Sequence, residues 1–133
     1  MYKNLISANM ILYCKEWDET VRFYRDRIGL PVLLSTDWFV EFGLGPASRL
    51  SIADDRHASI KSCASAGITV ALQVEDIDSV RTHAKKLGLR PTAIKRHPWD
   101  ATVFYLFDPE GHRLEIWESL KSDEAPELSL QGP

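Results

Sequence analysis

The side chains best able to do chemistry in this chain are two carboxylates, Glu41 and Glu115, and four histidines, His57, His83, His97 and His112. A carboxylate in a partly apolar surround can act as a general base or anchor a ligand, because desolvation strengthens its hold on a proton. Two carboxylates on one surface could also share a proton or hold a cationic ligand. The plainer alternatives are an ion pair of Glu115 with Arg113 or Arg49, and a solvated Glu41 on a short strand. His57 falls in a connecting segment, His83 on a helical pattern, His97 before a loop and His112 in a tight turn. Most of them are expected to face solvent, with His57 and His97 the two that a loop could fold over a binding surface. Cys14 and Cys63 are too few for a disulfide framework, and Cys14 lies in an apolar run that reads as buried strand. The chain has no glycine-rich phosphate loop, no nucleophilic-triad spacing, no zinc-finger cysteine pair and no dinucleotide fingerprint.

An internal repeat, about 5–54 and 67–118, positions these residues. Ala8-Asn9-Met10-Ile11-Leu12-Tyr13-Cys14 precedes a helical pattern in which Trp17, Val21, Tyr24 and Ile28 recur. Thr69-Val70-Ala71-Leu72-Gln73-Val74 precedes another, carried by Ile77, Val80, Ala84 and Leu87. Asp76 is placed to cap the second helix, with Ser79 three residues on. Both helices stop at one kind of tripeptide, Ile28-Gly29-Leu30 and Leu87-Gly88-Leu89. Three strand-like runs follow each helix: 32–36, 38–43 and 49–53, then 91–96, 102–107 and 113–118. Asp108-Pro109-Glu110-Gly111 forms the turn between the last two. Residues 55–66 read as a linker, and 119–133 as a polar tail loosely held on the surface.

Strand alternation then sorts the side chains. Met10, Leu12 and Cys14, Val70, Leu72 and Val74, and Leu114 and Ile116 form aliphatic faces that must pack the helices. Asn9, Thr69 and Glu115 fall on the opposite, mixed polar and aromatic faces, which suggests a cleft. At 133 residues, 44% hydrophobic and 26% charged, the chain reads as one soluble α+β domain, 1–133. A net charge of -3 without a basic run argues against nucleic acid. No apolar run approaches the length of a membrane span, and no secretory signal opens the chain, so a cytoplasmic protein is expected.

The repeat, the phrase Arg22-Phe23-Tyr24-Arg25-Asp26 ahead of Ile28-Gly29-Leu30, and the segment from Phe104 through Asp108-Pro109-Glu110-Gly111-His112 to Glu115 resemble the vicinal oxygen chelate superfamily. That superfamily includes glyoxalase I, extradiol dioxygenases, and fosfomycin- and bleomycin-resistance proteins. The resemblance implies two βαβββ modules, the glyoxalase/bleomycin resistance/dioxygenase fold, forming a curved, incomplete barrel around a cleft, as a homodimer. Metal-using members place four ligands on the cleft face, typically His, Gln or Glu. Carried over residue by residue, those positions fall on Asn9, Ser51, Thr69 and Glu115. Only Glu115 keeps a strong ligand side chain, whereas Zn, Fe or Mn favours imidazole, carboxylate or thiolate. No cofactor is expected, a divalent metal centred on Glu115 being the minor alternative.

The resemblance also maps Phe39 and Tyr105 to cleft-lining positions, with Trp38 and Trp99 nearby. Aromatic walls grip flat, apolar or cationic ligands; the alternative for any one of them is ordinary packing. Asn9, Ser51 and Thr69 could donate hydrogen bonds to a bound oxygen or simply fill space where ligands stand in relatives. The expected function is metal-independent binding of a drug or metabolite, as in bleomycin resistance, through Asn9, Phe39, Glu41, Ser51, Thr69, Tyr105 and Glu115. The rival is a lyase, isomerase or dioxygenase-type enzyme using Glu115 as metal ligand or catalytic base. Glyoxalase I and extradiol dioxygenase activities are not expected, since both need a ligand set absent here.

Overall fold

The computed structural model of the chain describes residues 2–121. The expected polar tail therefore lies outside the described residues from position 122 onward. Two four-stranded mixed sheets, each with a helix packed on one side, make an α+β fold, and neither sheet closes into a barrel. The first sheet holds β1 (Ala8–Cys14), β2 (Val32–Ser35), β3 (Phe39–Gly43) and β4 (Ser48–Asp54), in the order β1-β4-β3-β2. The second holds β5 (Thr69–Gln73), β6 (Lys95–His97), β7 (Ala101–Phe107) and β8 (Arg113–Ser119), in the order β5-β8-β7-β6. The chain divides into two compact units, one of residues up to 68 together with 107–112, the other of 69–106 and the described residues from 113.

The repeat is carried down to register. The first strand of each sheet pairs in parallel with the last, setting Asn9 opposite Arg49 and Ile11 opposite Ser51 in one unit. The second unit sets Thr69 opposite Arg113 and Ala71 opposite Glu115. The aliphatic faces are buried as alternation requires: Leu12, Leu50 and Ile52 in the first unit, Val70, Leu114 and Ile116 in the second. Met10 departs from this pattern at 51% exposed, because burial along β1 begins only at Leu12.

Helix α1 (Trp17–Arg22) runs on into a wider π-helical turn, Phe23–Ile28. Within that turn Phe23 and Tyr24 are both buried and meet edge to face, ring centres 5.1 Å apart. Helix α2 (Ile77–Lys86) buries Ile77 and Ala84, and the Asp76 carboxylate accepts the Ser79 N–H at 3.1 Å, the cap expected from sequence. Both helices end on a left-handed glycine, Gly29 at φ 81° and Gly88 at φ 82°. The residue after each glycine then returns its N–H to the helix, Leu30 to Tyr24 and Leu89 to Ala84.

The strand expected over 91–96 shortens to Lys95–His97. Pro91 has no N–H to give a ladder, and Thr92 meets Tyr105 instead: its N–H reaches the Tyr105 carbonyl and its hydroxyl accepts the Tyr105 N–H. The expected linker over 55–66 folds back on the first unit. There Lys61 donates to the Asp55 carbonyl and the Ser62 N–H to the Asp55 carboxylate.

Candidate functional site

In the first unit, the face of the sheet opposite the helix collects Asn9, as alternation expects, with Phe39, Glu41 and Ser51, as the resemblance implies. Register sets Glu41 beside Ser51 and Phe39 beside Ala53, with Asn9 on the next strand across from Arg49. Ser51 is fully buried and its hydroxyl donates to the Asn9 side-chain oxygen at 2.8 Å. Glu41 is half-buried and accepts from Arg49 Nη1 at 3.2 Å, so it is not the solvated carboxylate of the plainer reading. Phe39 packs edge-on against Trp38, ring centres 5.6 Å apart. The result is a polar face whose charges cancel, with aromatic rings at one end.

In the second unit the corresponding face collects Thr69, Tyr105 and Glu115. Arg113 stands among them: its Nε donates to the Thr69 hydroxyl at 3.2 Å, and its guanidinium carbon lies 4.6 Å from the centre of the Tyr105 ring. Glu115 lies two residues along β8 and is half-buried, and its carboxylate makes no hydrogen bond or ion pair among the described residues. The anticipated pairing of Glu115 with Arg113 is therefore not formed, since Arg113 takes Thr69 and the Tyr105 ring; within the first unit Arg49 takes Glu41. Sequence reasoning treated the two arginines only as charge partners, although the matched triplets Arg49-Leu50-Ser51 and Arg113-Leu114-Glu115 put both on these faces.

The side chains at the four positions carried over from metal-using relatives do not suit a transition metal. Three supply an amide oxygen and two hydroxyls, and these are already engaged, Asn9 and Ser51 with each other and Thr69 with Arg113. Among the described residues no group of three or more His, Cys, Asp and Glu side chains gathers as a metal site. His57 and His83 are exposed. His97 is half-buried on β6, its ring 4.4 Å from that of Trp99, and β7 separates its strand from that of Glu115.

His112 corrects the expectation of a solvent-facing turn histidine: it is 1% exposed. Its Nδ1 hydrogen-bonds an Asp108 oxygen at 2.8 Å, and the Tyr24 hydroxyl donates to that oxygen at 2.7 Å. The other Asp108 oxygen accepts the N–H groups of Glu110 and His112. Burial and the Asp108 charge push the Tyr24 phenol well above its ordinary value. Cys14, fully buried, is also pushed up, first by desolvation and then by the Glu110 and Asp108 charges, so it stays a thiol. These residue types could make a catalytic relay, but Tyr24, Asp108 and His112 are all buried and spent on one another, which makes them a packing node. A depression of about 400 Å³ runs along the exposed side of α2, lined by Asp76, Asp78, Ser79, Thr82, His83 and Lys86.

Comparison with known proteins agrees with this architecture. Residues 7–121 match the glyoxalase-like domain family. The crystal structure of a lactoylglutathione lyase from Agrobacterium tumefaciens is 22% identical, with a TM-score of 0.72 over 88% of this chain and 96% of that one. A glyoxalase/bleomycin resistance protein/dioxygenase from Nocardioides is 20% identical, with a TM-score of 0.73 over 91% of this chain and 86% of its own. An antibiotic-binding protein from Streptomyces sp. CB03234 is 14% identical, with a TM-score of 0.70 over 85% of this chain and 94% of its own. No protein of curated function matches the sequence. With the repeat, the paired registers and the match over residues 7–121 in agreement, the chain belongs to the glyoxalase-like domain family of the vicinal oxygen chelate superfamily.

Proposed function

We propose that the protein binds a small organic molecule, a drug or a metabolite, on the open faces of its sheets, without a transition metal and without turning it over. One observation carries this reading: Asn9, Ser51 and Thr69 stand where metal-using relatives place ligands, and their side chains are tied into hydrogen bonds within the protein. The aromatic residues Phe39 and Tyr105 beside them suit an organic ligand. A fold neighbour that is itself an antibiotic-binding protein supports the same reading.

The test is metal analysis of protein purified without chelators, paired with thermal-shift scans of divalent ions. The expected result is no stoichiometric metal and no ion-induced shift. About one ion per protomer would overturn the metal-independent reading. A second reading, an enzyme using Glu115 as a base, is favoured by that half-buried carboxylate having no partner among the described residues. Loss of turnover in Glu115→Gln with ligand affinity retained would establish it, whereas binding without turnover of any bound compound would sink it. We further propose a homodimer, the association that would cover the exposed apolar edge strand Val32, Leu33 and Leu34.

A further inference from the structure

The two units place the same arginine in opposite electrostatic company. Arg49 and Arg113 occupy one position of the repeat, each opposite the first-strand residue of its own sheet, Asn9 or Thr69. Where the first unit has Glu41, the second has Tyr105. Arg49 therefore meets a carboxylate at 3.2 Å and is neutralised. Arg113 instead lies over an aromatic ring, a contact that orients a guanidinium and leaves its charge intact. The hydrogen bond from Nε to the Thr69 hydroxyl fixes the plane of the group and leaves the two terminal nitrogens for another partner. Arg25, Arg49, Arg56 and Arg96 each pair with a carboxylate; no carboxylate lies within ion-pair distance of Arg113 among the described residues.

A guanidinium held by its Nε edge presents its terminal nitrogens as a fork that matches the two oxygens of a carboxylate. Glu115, two residues along the same strand and facing the same way, is the second unspent charge on this face. It can accept only while ionised, so it suits a hydroxyl or ammonium on the same ligand. We propose that the open face of the second unit binds a small organic acid, its carboxylate on the Arg113 fork and a hydrogen-bond donor group on Glu115. This rests on the small-molecule-binding reading and names its ligand class. It also assigns the anionic part of the ligand to the second unit, since the Glu41–Arg49 pair leaves the first without net charge to offer.

The experiment uses three probes that share a ring and differ in charge: benzoate, benzamide and protonated benzylamine. Each is titrated into the whole protein while backbone amide resonances are followed. Benzoate is expected to shift the amides of Thr69, Tyr105, Arg113 and Glu115, and to bind at least tenfold more tightly than benzamide. That advantage should shrink as salt is raised. Arg113→Gln should abolish it and Arg113→Lys should reduce it, the lysine keeping the charge but not the fork. Arg49→Gln should leave it unchanged. A hydroxyl added to benzoate should tighten binding in the native protein and not in Glu115→Gln. Equal binding of benzamide or benzylammonium at these amides would overturn the proposal while leaving the small-molecule reading standing with another ligand class. Unaltered benzoate affinity in a folded Arg113→Gln would do the same. Probes that shift none of these amides would overturn the proposal and count against this face as a ligand site.

Discussion

At the scale of single residues, the first unit depends on polar groups that are buried and fully spent. Tyr24 gives its only hydroxyl proton to Asp108, so Tyr24→Phe leaves a buried carboxylate one donor short. The expected loss is about 1–3 kcal/mol in denaturant unfolding. The same residue sets an alkaline limit. The folded state holds the phenol proton above the pH, about 10, at which an unfolded tyrosine releases it, so folding stability falls as pH rises beyond that point. Tyr24→Phe should show a shallower alkaline loss. Asp54 works at the other end of the scale. Its hydrogen bonds from Arg56 hold the carboxyl below its ordinary range, so its contribution is full above about pH 4 and is lost as pH falls further. The stability difference between native protein and Asp54→Asn should therefore narrow in acid, as measured by unfolding at a series of pH values.

At the scale of elements, the two helices are capped in contrasting ways. Helix α2 is capped locally, by Asp76 three residues before Ser79, and was legible because its partners are close in sequence. Glu118 adds a second cap to the same helix, its carboxylate accepting the Ile77 N–H at 2.8 Å. Helix α1 has no side-chain cap of its own. The N–H groups of Lys15 and Glu16, just ahead of its first turn, are accepted at 2.9 and 2.7 Å by Glu110, which lies 94 residues from Glu16. Ser62 donates to that carboxylate as well. A carboxylate at a helix start also meets the positive end of the helix dipole. Glu110→Ala should cost about 1–2 kcal/mol and speed hydrogen exchange at the Lys15 and Glu16 amides, while Asp76→Ala should cost about 1 kcal/mol. Faster exchange at α2 in Glu110→Ala, with α1 unchanged, would contradict this assignment.

At the scale of the whole molecule, the prominent unsatisfied surface is apolar. Val32, Leu33 and Leu34 lie on an edge strand and are each more than 40% exposed, and Leu5, Ile6 and Met10 are exposed at or before the other edge of the same sheet. An edge of that character is a template for association. Sedimentation of the native protein is expected to give a dimer, and Leu34→Lys is expected to shift it toward monomer with its circular dichroism unchanged. A monomer at high concentration would remove the proposed homodimer and leave the fold assignment untouched, because the fold rests on register and family match.

The sequence by itself determined what periodicity and short-range chemistry can encode. The repeat, the strand alternation that set Asn9, Thr69 and Glu115 apart from the aliphatic faces, the Asp76 cap and the paired stops at Gly29 and Gly88 can all be read along the chain, while Ser51, Glu41, Phe39 and Tyr105 were placed by the family resemblance and the matching halves. Only the tertiary structure decided which charges are spent. Whether Arg113 turns to Glu115 on its own strand or to Thr69 and Tyr105 on other strands of its sheet depends on side-chain direction, and alternation records the face of a residue but not its reach. The burial of His112 was hidden for a related reason. A histidine in a polar turn reads as exposed until the chain brings Tyr24 to Asp108 from 84 positions away and closes the node over it.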